Sequence, residues 1–209
     1  VKILLISPNL KGIADGVNRI QPSLGLMLIA SVLERNGHTV KIYDAALDGW
    51  NNRRIIDEKN KIVMIGQSDE KIANVINDFS PDIAAVSVLF SNLLESAHNI
   101  AKIVKKTKKN TVTVLGGNHI SSAVTDYNIS KVDSKSGMPD HIKDLESGYF
   151  DFAMTGEGEF SFLDFANRIA NNEDVIKVPG LVKKIGPKKY IINPSSRVHN
   201  LDILPRPAR

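Results

Sequence analysis

The chain contains several short apolar runs in which polar and apolar residues do not alternate. Two of these runs, at residues 82–89 and 111–115, are separated by a segment long enough for one helix. Apolar runs without alternation are typical of a parallel sheet that is covered by helices on both faces. Further short strands are predicted at residues 2–6, 39–43 and 150–154. The pattern therefore predicts an α/β domain built from β-α-β units.

Helical periodicity is found between the predicted strands. Leu24, Leu28 and Val32 form an apolar stripe that ends at Gly37, as expected of an amphipathic helix. Further helices are predicted at residues 68–79, 90–108 and 160–169. This order of elements predicts a doubly wound parallel sheet with flanking helices, flavodoxin-like, with strand order 2-1-3-4-5.

Other segments are less regular. Residues 7–16 contain Pro and Gly and are predicted to form a long loop, whereas residues 61–67 are predicted to form an extra strand. Residues 126–144 are polar and are interpreted as a surface insertion, with a short helix near residues 141–147.

The C-terminal part of the chain differs in character from the rest. Two short apolar runs flank Gly186-Pro187 and predict a hairpin. Residues 201–207 are too rich in proline for a helix or strand and indicate an extended connector. We therefore expect two parts, a Rossmann-like domain at residues 1–176 and a hairpin and linker at residues 177–209.

Small residues follow the predicted strands at one edge of the sheet. Ser87 ends one strand, Gly116-Gly117 follows the next, and Gly156 and Gly158 follow the last. The carboxyl edge of an open parallel sheet is where ligands bind, because helix N-termini and free backbone N–H groups gather there. A large, flat ligand that inserts a tail between the strand ends fits this pattern.

Composition narrows the possible functions. The 209 residues contain no Cys, which excludes disulfides, cysteine-held metal clusters and a thiol nucleophile within this chain. No apolar run reaches the ~20 residues of a membrane span. The net charge is +4, but five lysines between residues 102 and 109 supply much of the excess at a predicted helix end. We therefore expect a cytoplasmic protein that binds neither nucleic acid nor membrane.

The usual ligands of such a sheet edge lack their motifs here. The loop after the first strand contains neither G-x-G-x-x-G nor G-x-x-x-x-G-K-[ST], so dinucleotides and nucleoside triphosphates are disfavoured. A phosphoacceptor domain would have acidic residues at the ends of the first and third strands. The chain instead has Ser7-Pro8-Asn9 and Ser87-Val88-Leu89 at these places.

Three motifs together resemble a known family. Ser87-Val88-Leu89 is similar to the S-x-L motif of cobalamin-binding domains, and residues 114–117 are similar to their V-x-G-G motif. Gly156-Glu-Gly-Glu159, with residues 178–181 and 201–207 downstream, resembles the segment that leads into a radical SAM barrel. Over nearly its whole length the chain thus resembles the N-terminal cobalamin-binding domain of cobalamin-dependent radical SAM enzymes.

The resemblance implies that the chain binds cobalamin with its nucleotide tail extended between the strand ends. Ser87 would hydrogen-bond the buried base, and the glycines would leave room for the tail. The expected cofactor-binding residues are Pro8, Asn9, Gln21, Ser87, Leu89, Gly116, Gly117, Asn118, His119, Gly156, Glu157 and Gly158.

The resemblance also implies that the chain is one domain of a longer enzyme. The chain would present cobalamin to a radical SAM barrel for methyl transfer or a related radical reaction. The chain lacks C-x-x-x-C-x-x-C. The four-iron cluster and S-adenosylmethionine are therefore expected only in that barrel, and no catalytic residue is expected here.

One departure concerns the cobalt ligand. Cobalamin domains of the methionine synthase type carry D-x-H-x-x-G after the first strand, whereas residues 7–22 contain no His. We therefore expect base-off cobalamin with no protein histidine on cobalt and no metal-ligating residue. Two alternatives stay open. The first is that the glycines serve only as turn residues, and the second is that the chain is a cofactor-free flavodoxin-like sensor or protein-interaction module.

Overall fold

The computed structural model describes residues 1–208, so that only the last residue of the predicted linker lies outside the described part of the chain. A seven-stranded sheet forms its centre. The strands are β1 (Lys2–Ser7), β3 (Thr39–Asp44), β6 (Ile83–Ser87), β7 (Val112–Gly116), β8 (Phe152–Met154), β9 (Leu181–Gly186) and β10 (Lys189–Ile192). They lie in the order β10-β9-β8-β7-β6-β1-β3. The first five are parallel to one another and, numbered along the chain, lie in the order 2-1-3-4-5. The predicted fold class, a mostly parallel sheet with flanking helices, is confirmed.

Helices cover both faces of this sheet. They are α1 (Leu24–Arg35), α2 (Ala45–Asp48), α3 (Asp69–Phe79), α4 (Leu94–Thr107), α5 (Asn118–Val132), α6 (Lys143–Glu146) and α7 (Glu159–Ala170). Side chains of α1 and α7 pack with Ile3 and Leu5 on one face, whereas α3, α4 and α5 pack with Leu4 and Ile6 on the other. Successive strand residues point to opposite faces, so β1 contributes to both cores and is buried on both sides.

A second, three-stranded antiparallel sheet lies beside the first. It consists of β2 (Leu10–Ile13), β5 (Ile62–Ile65) and β4 (Arg53–Asp57), in the order β2-β5-β4. The extra strand expected at residues 61–67 therefore exists, but it belongs to this small sheet. The loop expected at residues 7–16 was wrong for its middle part, because the four residues of β2 pair with the distant β5. A strand this short carries too little periodicity to be detected from sequence.

The C-terminal hairpin joins the main sheet. Strand β9 pairs antiparallel with β8, at Ala153 opposite Val182 and Met154 opposite Leu181. The chain then returns along the domain, where the backbone N–H of Ala208 donates to the carbonyl of Met27 in α1 at 3.0 Å. The predicted hairpin is present, and the division of the chain at residue 176 stays a prediction.

The region after β7 is more helical than its polar sequence indicated. Helix α5 begins directly after Gly117, and α6 lies within the segment where a short helix was expected. None of the helices in the part of the chain that the structure describes has the length and apolar character needed to cross a membrane.

Candidate cofactor-binding site

The carboxyl ends of the central strands place small residues on one face of the sheet. Leu5, Ala85 and Val114 belong to the core on the α1 and α7 face. Because side chains alternate along a strand, the positions two residues later, Ser7, Ser87 and Gly116, lie on that same face. Ser87 is also paired with Gly116 across β6 and β7. The α1 and α7 face of the sheet therefore carries no large side chain at the ends of these three strands.

A cavity of about 500 Å³ occupies this gap. Its lining includes Leu5, Ala85 and Val114 from the sheet and Leu26, Ile29, Met154 and Phe162 from around it. Such a volume lies in the range of small-molecule and cofactor sites, which are mostly apolar with a few convergent polar groups. The cavity thus has the size and lining of a slot for an aromatic or heterocyclic group.

The mouth of the cavity carries exposed apolar side chains. Leu24, at the start of α1, is 59% exposed, and Leu89, after β6, is 51% exposed. Both residues also line the cavity, together with Gln21 from the loop that precedes α1. Large apolar side chains that are clustered and exposed at a cavity mouth are typical of a ligand-binding surface.

The two glycines after β7 differ in role. A Cβ built on Gly116 meets no atom within 4 Å, so its missing side chain faces open space. Gly117 has φ +97°, and a Cβ there would lie 2.5 Å from the carbonyl oxygen of Val88. Gly116 thus leaves the cavity open, whereas Gly117, although it also lines the cavity, is required by its backbone conformation and by the close approach of Val88.

The loop between β8 and α7 contacts both the cavity and the C-terminal segment. Gly156 has φ +79°, and a Cβ there would lie 2.4 Å from the Cβ of Ser195. The carboxylate of Glu157 accepts a hydrogen bond from the backbone N–H of Val198. A Cβ on Gly158 would lie 2.8 Å from the Cδ1 of Ile29. All three loop residues line the cavity, so one short loop contacts the candidate site and also holds the C-terminal segment.

Ser87 and Glu159 are two of the polar residues that line the cavity. The Oε2 atom of Glu159 is buried and has no hydrogen-bond partner among the described residues. Sequence reasoning included Ser87 but not Glu159, although Glu159 closes the Gly-Glu-Gly-Glu motif.

The remaining predicted site residues lie outside the cavity lining. Pro8 is buried beyond the end of β1. Asn9 is 9% exposed, its Nδ2 donates to the carbonyl of Gln67 at 2.9 Å, and its Oδ1 accepts from the N–H of Gln67 at 3.0 Å. This pair of hydrogen bonds attaches the loop after β1 to the end of β5. Asn118 is the first residue of α5.

His119 belongs to a polar cluster around the buried Asp144 on the opposite face. Its Nε2 lies 3.3 Å from Asp144, and its Nδ1 lies 2.8 Å from the hydroxyl of Ser91. Asp144 is 2% exposed and also lies 3.4 Å from the Nε2 of His98. Burial raises the pKa of the Asp144 carboxyl, but hydrogen bonds from His119 and His98 outweigh burial and hold that pKa well below its usual range. Sequence reasoning missed Asp144 and His98, which no motif marks.

The sequence profile of the B12 binding domain matches residues 10–135 of the chain. The chain belongs to the B12-binding domain family. Membership of this family confirms the prediction that the cofactor is cobalamin. The match covers the α1 side of the cavity, the strand ends at Ser87 and Gly116, and the start of α5.

Named relatives of this B12-binding domain are methyltransferases and radical enzymes. It is 28% identical over 193 residues to cytidylyl-2-hydroxyethylphosphonate methyltransferase of Streptomyces wedmorensis, a match that covers 92% of this chain and 33% of that protein. The chain thus spans about a third of the length of this relative.

Two solved structures have the same fold. One is the radical S-adenosylmethionine methyltransferase TsrM from Kitasatospora setae with cobalamin and a [4Fe-4S] cluster bound, with TM-score 0.60, 16% identity, and coverage of 100% of this chain and 31% of that chain. The other is the cobalamin-dependent S-adenosylmethionine radical enzyme OxsB with aqua-cobalamin and S-adenosylmethionine bound, with TM-score 0.65, 13% identity, and coverage of 99% and 24%. The predicted resemblance to this group of enzymes is confirmed.

Proposed function

We propose that this B12-binding domain binds cobalamin at the carboxyl edge of its main sheet, with the nucleotide tail inserted in the cavity. The observation that carries the proposal is the cavity itself, which opens between small residues at the strand ends and lies under exposed apolar side chains. The flat corrin ring would cover Leu24 and Leu89 at the mouth. The aromatic base would fill the slot that Gly116 leaves open.

The polar groups of the cavity suit this ligand. The base of cobalamin, once it leaves cobalt, has an unprotonated ring nitrogen that accepts hydrogen bonds. The hydroxyl of Ser87 can donate one. A buried acceptor and a buried donor that satisfy each other lose little on leaving water.

We propose further that no histidine of this chain coordinates cobalt, so that the cofactor is bound base-off and without a histidine ligand. No histidine is found among the residues that line the cavity or in residues 7–22. His119 follows the glycines after β7 and is therefore the histidine nearest in sequence to the cavity lining. Both of its ring nitrogens are occupied, since Nε2 contacts Asp144 and Nδ1 contacts Ser91.

We propose also that the domain presents cobalamin to a radical SAM barrel for methyl transfer or a related radical reaction. When bound, cobalamin supplies a cobalt centre that can carry a methyl group. The cluster and S-adenosylmethionine would be held by the barrel. We propose residues 1–176 as the cobalamin-binding unit and residues 177–209 as the hairpin and linker that lead towards it. The S. wedmorensis relative supports this proposal, because it is a methyltransferase about three times as long as the matched region.

Binding can be measured directly on this chain. Titration with aquacobalamin, followed by visible absorption and calorimetry, should show one site. Electron paramagnetic resonance of the bound, reduced Co(II) form should show no nitrogen superhyperfine splitting. Splitting that disappears in His119→Ala would refute the histidine-free site, and absence of cobalamin binding would favour the cofactor-free module.

A further inference from the structure

The side chain of Glu159 is placed unusually for a charged residue. It is the first residue of α7, it lines the cavity, and its Oε2 atom is buried without a hydrogen-bond partner among the described residues. Leaving a buried acceptor unsatisfied costs free energy, so each such atom in a native structure requires an explanation. A ligand group that donates a hydrogen bond is one explanation.

The helix dipole alone does not explain this position. An acidic residue in the first turn stabilises a helix, but it does so equally well when solvated. Glu70 occupies the first turn of α3 in this way and is exposed. One carboxylate oxygen of Glu159 is instead shielded from solvent, so its environment differs from that of an ordinary first-turn acid.

The cavity provides no partner of its own for this oxygen. Its lining residues include no Lys, Arg or His, so no cation compensates the charge from within the cavity. The lining hydroxyl of Ser87 is not bonded to Glu159 either. The oxygen therefore has no donor among the residues that line the cavity.

The chemistry of a nucleotide tail supplies that donor. The base offers only an acceptor nitrogen, which suits the hydroxyl of Ser87, whereas the ribose carries hydroxyl groups that donate. An ionised carboxylate is acceptor-only and forms charge-assisted hydrogen bonds, which are shorter and stronger than neutral ones. Glu159 and Ser87 thus match the two different polar parts of one ligand.

We infer that the carboxylate of Glu159 accepts a hydrogen bond from a ribose hydroxyl of the nucleotide tail and thereby selects cobalamin over corrinoids that lack this tail. This inference rests on the proposed cobalamin site and assigns a specificity-determining residue to it. The bond satisfies the buried oxygen only in the loaded domain. The carboxylate consequently contributes to ligand affinity and not to the stability of the ligand-free fold.

The test compares two corrinoids and three variants. Dissociation constants are measured by absorption titration for aquacobalamin and for dicyanocobinamide, which has no nucleotide tail. Glu159→Ala should weaken cobalamin binding roughly 10- to 100-fold, as expected for loss of a hydrogen bond to a charged group, and Glu159→Gln should weaken it less. Cobinamide binding should change less than about two-fold in both variants. Glu70→Gln, the matched first-turn control, should leave both constants unchanged.

Thermal unfolding without ligand provides an independent measurement. Because the buried oxygen has no partner in the ligand-free domain, Glu159→Gln should unfold at the same temperature as the wild type or higher. A marked decrease would show that the carboxylate has a structural role and would overturn the inference.

The possible failures can be distinguished. If the wild type binds neither corrinoid, the proposed cofactor site itself fails. If the wild type binds cobalamin and the Glu159 variants bind it equally well, only the inference fails. Equal weakening of both corrinoids would also overturn it, because a ligand without ribose would then depend on Glu159.

Discussion

Gly116 offers the most direct test of where the ligand tail inserts. It is not among the glycines with positive φ, and a Cβ there meets no atom within 4 Å. Gly116→Val would therefore place a β-branched side chain at the end of β7 without a clash and on the face that lines the cavity. Gly117 is unsuitable for the same test, because a side chain there would collide with the backbone of Val88.

The size of the effect follows from packing. In the free domain, Val at a strand end should change the free energy of unfolding by less than about 1 kcal/mol, since valine favours strands over glycine. In the loaded domain the added carbons compete with the tail for one slot. Overpacking of this kind costs about 1–3 kcal/mol, which corresponds to roughly a 5- to 150-fold weaker binding constant.

The assay pairs binding with stability. Aquacobalamin titration and urea unfolding are carried out on the wild type, Gly116→Val and Gly186→Val. Gly186 is a matched control, because it ends strand β9, is not a cavity residue, and would place a Cβ no closer than 3.8 Å to Lys189. Unchanged cobalamin affinity in Gly116→Val, with an intact fold, would refute insertion of the tail at this strand end.

Two further predictions concern the groups around the site. The lowered pKa of Asp144 means that its ionised form stabilises the fold above the unfolded pKa of about 3.9, and that this stabilisation is lost as pH falls below it. Asp144→Asn should therefore be about 1–3 kcal/mol less stable than the wild type at pH 7. In urea unfolding, this difference in the free energy of unfolding should shrink below about pH 4. A difference that stays constant with pH would contradict the reasoning. Glu157→Gln should weaken the contact with Val198 by about 1 kcal/mol, so hydrogen exchange after residue 194 should accelerate roughly five-fold while the β9–β10 hairpin is unaffected. Equal protection in both proteins would mean that this carboxylate does not hold the segment.

The sequence was sufficient for the parallel strands of the main sheet and for the small residues at their carboxyl ends. Continuous apolar runs bury both faces of a central parallel strand, so strands such as β1 and β6 are recognisable without any contact information. Ser87 and Gly116 were recognisable because a strand that ends in a small residue leaves a gap at a known edge of this fold. These features depend on local pattern and on a topology shared by the fold class.

Contacts between distant segments were not accessible in the same way. Strand β2 is defined by its pairing with β5, about 50 residues away, and its own four residues carry no distinct period. Asp144 lies in a polar stretch, and only folding brings it to His98 and His119. The burial of Glu159 likewise depends on how α7 packs, whereas its sequence position indicates only an ordinary first-turn acid.

The two faces of the sheet differ at its carboxyl edge. On the α5 face, the helix begins at Asn118, directly after β7, and the cluster around Asp144 fills the space with mutually bonded polar groups. On the α1 face, by contrast, the strands end in the small residues Ser7, Ser87 and Gly116. These residues leave a volume that no described side chain fills. A tail that entered this volume would lie between the sheet and helices α1 and α7. The loop between β8 and α7 lines this volume and also contacts the segment after β10 through Gly156 and Glu157, so the shape of the cavity and the course of the C-terminal segment depend on the same few residues.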